Sequence, residues 1–458
     1  MVEQKPACGV LSQQFEFEPI KQAAAVAQRE GADGEAAVRP APRLRLANRT
    51  QLRLQAWDLD SCLAADHAAR AIWRLLEQVD LAAYYQSIKA VEGEPGRNMT
   101  DPKILLALWL YAISEGVSSA HEVDRQCQAH DAYRWICGGV SVDYHMINDF
   151  RKANPKALDE LFTQVLAVLM HRGLVSLKRV AQDGMRVRAS AGAASFRRQP
   201  KLEQCLAKAQ AQVEALKAEA AENDTQRSAR IKKARERAAR ERQQRLEQAI
   251  KELAVVQATK AQAKNHPQRK TECRASTTDP EARVMKMANG GYNPAYNLQF
   301  STDTVSRIIV GVQATNAGTD NHQLDPMLDN IEGRVERLPG QALLDGGYMN
   351  FAALEKAAAR GVEVLAPPRA NKDYHIDPCT PQHGDTPVIA AYRQRMASPE
   401  GKEIYKQRAA VAETVHADLR TWRGLDRLLV RGSAKVLMVT VWSALTYNIL
   451  RAFKMGWL

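Results

Sequence analysis

The sequence predicts an α/β layer that is split by a long helical insert and preceded by a helical region. Three textures carry that prediction. From Trp57 to Arg172 apolar residues recur at threes and fours, as on one face of a helix. Short strand-like stretches then appear around Gln182-Asp183-Gly184, and again from Tyr296 to Ala366. Between them, from about Pro200 to Lys264, no Gly or Pro falls within a run dominated by Ala, Glu, Gln, Lys and Arg. The two strand-bearing halves should therefore rejoin in space.

Residues 1–45, rich in Ala, Gln, Glu and Pro, read as a disordered tail. Residues 46–172 make the helical region. Asp66 is placed to cap a helix through Ala69, Ile72, Trp73 and Leu76. Thr100-Asp101-Pro102 opens another, with Pro in its first turn. Ser118–Asp131 and Tyr133–Cys137, broken by Gly138-Gly139, lead into Asp143–Arg151 in the manner of a helix-turn-helix. Its last helix would enter a DNA groove with its first turn. A plain helical bundle fits the same pattern, and Asp143 and Asp149 would oppose phosphate. Cys127, His130, Cys137 and His145 match no common zinc spacing and read as core or surface residues. Leu158, Leu161, Phe162, Val165 and Leu169 mark one more amphipathic helix over 155–172.

The α/β layer takes residues 173–199 and 265–458, and the insert takes 200–264. Before Asp183, Val175, Leu177, Arg179 and Ala181 alternate with Ser176, Lys178, Val180 and Gln182, and Asp-Gly sits where a strand could bend. In the insert, Leu202, Leu206, Ala209, Val213, Leu216 and Ala220 step by four and three, which is a coiled-coil seam. Asn223-Asp224-Thr225 interrupts it, and Leu246, Ile250 and Leu253 continue it, so two helices fold back as a hairpin. Most of the basic side chains there read as a solvated face.

Beyond the insert, Tyr296–Phe300 and Ile308–Val312 form an antiparallel hairpin around a turn at Ser301–Thr304. Asp320 caps a helix to about Arg337. Gln341–Leu344 is a short buried strand ending in Asp345-Gly346-Gly347-Tyr348, followed by a helix over Asn350–Arg360 and a strand at Val362–Ala366. Asp373, His375, Asp377, Cys379, His383 and Asp385 look like a metal cluster but lack a scaffold, so a polar loop is expected. Ser398-Pro399-Glu400 starts a helix to about Arg420, on which Lys406, Glu413 and Arg420 share a face. Val436–Leu450 is apolar but broken by Thr440, Ser443, Thr446 and Asn448, as in a buried helix rather than a membrane span.

A formal net charge of +12 points to an acidic partner, nucleic acid being the commonest. Seven cysteines with no CxxC pair, and no apolar leader, point to a reducing cytoplasmic location. Three acids stand out by position: Asp183 at a strand, Asp345 at a strand's end and Glu413 inside a basic helix. Asp183 taken alone would as readily serve a turn. Three gathered carboxylates repel one another unless cations offset them, and two divalent ions would explain the grouping. Arg186 and Arg188 follow the first acid. Arg408 and Arg420 flank the last and could grip phosphate, with Tyr405 orienting the strand.

The segments Gln182-Asp183-Gly184, Ser276-Thr277-Thr278-Asp279-Pro280, Gly291-Tyr292-Asn293, Leu344-Asp345-Gly346-Gly347-Tyr348 and Tyr405-Lys406-Gln407-Arg408 with Glu413 and Arg420 resemble the DDE transposases of bacterial insertion sequences. The likeness covers roughly residues 50–455, and Asp60–Pro155 resembles the N-terminal domain of that group. It implies a ribonuclease-H-like core and a metal-binding triad of Asp183, Asp345 and Glu413, using two Mg²⁺ or Mn²⁺ ions. It implies cleavage at terminal inverted repeats, transfer of the freed 3′-hydroxyl to target DNA, and oligomers on DNA with no membrane role. Two departures are visible. Arg420 stands where Lys is commoner, and His416 where many relatives carry an aromatic. Glu403 is the rival third acid in another helix register, and Asp279 is expected to organise the return from the insert. A DNA binder without catalysis, or a nuclease without strand transfer, would share these features.

Overall fold

The computed structural model describes residues 58–86, 88, 90, 98–220, 226–262, 273–369 and 377–457, with side chains left out at 220 and 226–229. The expected tail, the interruption at Asn223–Thr225, and Asp373 and His375 of the polar loop lie outside these residues.

Seven helices lead the described chain: α1 (Ala68–Leu76), α2 (Ala82–Tyr85), α3 (Pro102–Ser114), α4 (Ala120–Ala129), α5 (Asp131–Cys137), α6 (Tyr144–Ala153) and α7 (Pro155–His171). Local chemistry sets their ends. Asp101 accepts from the Lys103 amide at the start of α3 and Asp143 from that of Met146 at the start of α6. Gly138 ends α5 in the left-handed region at φ 57°. The cap of α1 differs from expectation: the ring of His67, not Asp66, accepts from the Ala69 amide. Helix α3 is apolar all round and buried from Ile104 to Ser114, which makes it the centre of this region rather than an edge.

The sheet is built from both sides of the helical insert at about 200–264. Strand β1 (Arg179–Arg188) comes before it. After it come β4 (Arg283–Lys286), β5 (Tyr292–Asp303), β6 (Ile309–Thr315), β7 (Gln341–Leu343) and β8 (Glu363–Leu365). β1 is central, antiparallel to β5 and parallel to β7, which is parallel to β8. On its far edge β5 pairs first with β4 and then with β6. The mixed sheet is flanked by α10 (Leu324–Val335), α11 (Phe351–Ala359), α12 (Pro387–Ala397), α13 (Pro399–Thr421) and α14 (Ser433–Lys454). Strand β4 and helix α12 were not foreseen. The turn of the β5–β6 hairpin falls after Asp303, whose carboxylate accepts from the Val305 and Ser306 amides.

The run between the halves forms α8 (Gln199–Ala220) and α9 (Gln226–Gln262). Leu202, Ala209 and Val213 of α8 and Leu246, Ala249 and Leu253 of α9 are buried. At its base β2 (Phe196–Arg197) pairs with β3 (Ala275–Ser276), so the chain leaves and returns at one place.

Helix α14 is long and apolar enough to cross a membrane, yet 83% of its apolar window is buried inside the protein. Thr440, Ser443, Thr446 and Asn448, which interrupt the apolar run, are each bonded. Thr440, Ser443 and Thr446 donate to the carbonyls one turn back, at Val436, Val439 and Trp442. Asn448 reaches the sheet, accepting from the Ile309 amide and donating to its carbonyl, each at 2.8 Å. Asn448→Leu would strand both buried backbone groups, so a loss of roughly 2–4 kcal/mol in urea unfolding is expected.

Candidate active site

Asp183 lies in the middle of β1, not at its end: the strand runs straight through Asp183-Gly184 to Arg188. Its neighbour β7 is in parallel register, Ala181 opposite Leu343. Continued two residues, that register sets Asp345 beside Asp183. The two aspartates are oriented alike. Asp183 Oδ1 accepts from the Gly184 amide at 2.9 Å, and Asp345 Oδ1 from the Gly347 amide at 2.7 Å, capping a single 3-10 turn, Gly346–Tyr348. The remaining oxygens meet one cation: Arg408 Nη2 is 2.9 Å from Asp183 Oδ2 and 3.8 Å from Asp345 Oδ2.

Arg408 comes from α13, which packs over β1 and is capped by Ser398, whose hydroxyl accepts from the Gly401 amide. Two turns along, His416 Nδ1 is 3.8 Å from Asp183 Oδ2, and its ring stands edge-on to Phe300. Burial, with Arg420 and Arg408 nearby, pushes the His416 pKa down to about 4. It is neutral at neutral pH, so its contact with Asp183 is not an ion pair. Burial pushes the Asp183 carboxyl up to about 6; Arg408 opposes that, and the charges of Asp345 and Asp320 add to it. Burial is thus the main cause of the shift, and Arg408 is the main charge opposing it.

The other residues singled out from the sequence are spread around this pair. Glu413 is exposed on α13, and the side chains of that helix recorded against the aspartates are Arg408 and His416. Glu403 is exposed and paired with Lys406 at 2.6 Å. Tyr405 is half-buried against the core, which raises its hydroxyl pKa. Arg420 is exposed, and its guanidinium donates to the Arg186 carbonyl. Arg186 donates to the carbonyls of Lys286 and Gly318, at 2.9 and 3.0 Å, so its cation ties β1 to β4 and the loop after β6. Arg188 is exposed, and its carbonyl accepts from the Leu428 amide. Asp279 is fully buried and accepts from the Tyr296 hydroxyl and the Gly432 amide, joining the return from the insert to the start of α14. His130 caps α5, accepting from the Ala132 amide, and the half-buried Asp385 pairs with the buried Arg393.

One acid was misread. Asp320 does not cap the helix after it: α10 starts at Leu324, behind Gln323, with no side-chain cap. The Asp320 carboxylate turns to the sheet and accepts from the amides of Asn297 and Gln299, each at 2.7 Å. The signal was the polar alternation Asn297, Gln299, Ser301 and Asp303 on β5, which reads as an exposed face and is buried.

Do these groups suit a divalent cation? Two carboxylate oxygens already converge on a positive group, and hard oxygen donors suit Mg²⁺ or Mn²⁺. One guanidinium faces two carboxylates there, so the pair has oxygens to offer a further cation. They fit. Among the described residues, no group of three or more His, Cys, Asp and Glu side chains is arranged to hold a metal ion.

The family described as transposase DDE domain matches residues 251–449, which include Asp345, Arg408 and Glu413. A second family, described as a transposase domain, matches residues 57–153, from before α1 to the end of α6. The chain belongs to the DDE transposases of insertion-sequence type. In this transposase the DDE match begins within α9, so β1 and Asp183 lie ahead of it. The mixed sheet with flanking helices is consistent with a ribonuclease-H-like core. Transposases of this kind bind DNA and generally use divalent metal ions. Comparison with curated proteins and with solved structures finds no match.

Proposed function

We propose that the transposase cleaves DNA at the terminal inverted repeats of its element and joins the freed 3′-hydroxyl to target DNA. The observation that carries this is the pair of parallel-strand aspartates whose free oxygens share one cation. Asp183 and Asp345 would hold the divalent ions, two in number, with Glu413 completing the set from α13. Such ions supply Lewis acidity at the phosphodiester and lower the pKa of an attacking water or hydroxyl.

The protein's own groups do the rest. The Gly184 and Gly347 amides each hold one oxygen of an aspartate and leave the other free. Arg408 partly offsets the pair's charge and would take up a phosphate oxygen if the carboxylates bound metal. His416, neutral, packs against Phe300 and stands 3.8 Å from Asp183 Oδ2 without adding charge. Tyr405 and Arg420 of α13, with Arg186 and Arg188 of β1, would steer the DNA backbone. Residues 46–172 would read the element ends, and the α8–α9 pair would be a helical hairpin inserted into a ribonuclease-H-like domain of residues 173–199 and 265–458. Synapsis of two ends requires more than one copy on DNA.

The third acid is the part most open to test. Glu413→Ala should abolish cleavage of a labelled end duplex while gel-shift binding persists, and Glu403→Ala should cleave normally. The reverse pattern would move the third ligand one register along α13. A joining assay on pre-cut ends separates transposition from simple nuclease action.

A further inference from the structure

Beneath the two aspartates lies a buried polar network with no apolar explanation. Asn297, Gln299, Ser301 and Asp303 alternate along β5 and are each at most 2% exposed. Strand alternation puts all four on one face, and burying them is costly unless each is bonded. Gln299 is the hub. Its Nε2 donates to Asp320 Oδ1 at 2.7 Å. Its Oε1 accepts from Gln182 Nε2 at 3.3 Å and from the Tyr348 hydroxyl. Gln182 immediately precedes Asp183, and Tyr348 ends the turn that Asp345 caps. One amide oxygen thus receives one donor from each segment that carries a catalytic aspartate.

The carboxylate of Asp320 fixes which way that amide points. An acceptor at one end forces Nε2 toward Asp320, which leaves Oε1 facing the two donors. Asn297 Nδ2 donates to the same Asp320 oxygen at 2.7 Å, so the acid anchors two neighbouring side chains of β5. Gln182 is held a second time, donating to the Gln323 carbonyl at 2.9 Å. The links from Gln299 to both aspartate-bearing segments are buried hydrogen bonds and its link to Asp320 is part-buried, so the arrangement is stiff.

We propose that Gln299, oriented by Asp320, is a positioning residue that fixes the separation and aim of Asp183 and Asp345. This rests on the metal-site reading above. Neither residue touches substrate; both act through Gln182 and Tyr348. Groups that orient metal-binding carboxylates at one remove change metal affinity or activity by roughly 10–100-fold when lost.

The test uses the full-length transposase with an element-end duplex. Three quantities are read: the cleavage rate in Mg²⁺, the dissociation constant of Mn²⁺ by calorimetry, and end binding by gel shift. Gln299→Leu and Asp320→Ala are expected to slow cleavage and weaken Mn²⁺ binding by about 10–100-fold, with end binding unchanged. Asp320→Asn should recover most of both, because its amide oxygen still accepts from Asn297 and Gln299. If Gln299→Leu does not fold, Tyr348→Phe carries the test, since it removes one hydroxyl and keeps the buried ring; it should weaken Mn²⁺ binding several-fold. Wild-type Mn²⁺ binding in Gln299→Leu or Tyr348→Phe overturns the proposal. So does Asp320→Asn as defective as Asp320→Ala, which would make the charge of Asp320, not its hydrogen bonding, the active property. Asp183→Ala separates the two levels: if it still binds Mn²⁺ and cleaves, the metal-site reading itself fails. If it does neither while Gln299→Leu is normal, only the positioning role fails.

Discussion

Asp183→Asn is expected to stabilise the metal-free protein at neutral pH while lowering strand cleavage by on the order of 1000-fold or more, the upper range for losing one electrostatic stabiliser. The stability half follows from the folded-state pKa of about 6, above the ordinary carboxylate value of 3.8. A raised carboxyl pKa means that the native state binds the proton more tightly than the unfolded chain. Ionised Asp183 therefore opposes folding above about pH 6, and the penalty disappears as pH falls toward the unfolded value. At neutral pH it amounts to about 3 kcal/mol at most, with the side chain 18% exposed. The denaturation midpoint of Asp183→Asn should exceed that of wild type at neutral pH and converge with it in acid. Added Mg²⁺ should raise the wild-type midpoint and leave the variant nearly unmoved, because a ligand stabilises only the state that binds it. A variant no more stable than wild type at neutral pH would mean that Arg408 already neutralises the site. Retained cleavage would remove Asp183 from it altogether.

That strain explains why some of the site was legible in the sequence and some was not. Asp183 and Asp345 announce themselves because each is followed by glycine at a strand, and their pairing needs only the parallel register of β1 and β7. The helix starts at Asp101 and Ser398 were readable for the same reason: a short polar side chain beside a helix start has one dominant local use, which Asp143, read as facing phosphate, turns out to share. Long-range partners leave no such mark. Arg408 reads from sequence as a phosphate clamp, yet its guanidinium meets acids more than 200 residues away or at a different strand. Arg186 likewise spends its cation on two carbonyls that only the fold brings near. Asp320 was misread because an Asp ahead of an apolar periodic run looks like a cap, while its tertiary partners on β5 outbid the helix. Strand β4 and helix α12 were missed because Arg283–Lys286 is four residues long and the buried stripe of α12, Ile389, Tyr392 and Met396, shares its face with Arg393.

The position that couples these layers is Gly184, and Gly184→Ala is expected to cost about 1–3 kcal/mol of stability and to slow cleavage by about 10–100-fold. The backbone there is ordinary extended strand, so conformational freedom is not the reason for glycine. Space is. A Cβ at Gly184 would collide with Asp320 Oδ1 and Gln299 Nε2 and stand 2.7 Å from Asn297 Oδ1. Those three atoms belong to groups that already hold one another through Asp320, so none can retreat alone. Relief must come either from breaking that network or from lifting β1 away from it. Lifting β1 moves Asp183, and a displacement of a few tenths of an ångström changes its distance to Asp345 and Arg408. Gly192→Ala is the control, since an added Cβ there has nothing within 4 Å, and it should match wild type in both unfolding and cleavage. If Gly184→Ala unfolds and cleaves like Gly192→Ala, the face of β1 beneath the aspartates is soft, and rigid placement of the carboxylates from below cannot be how this site is held.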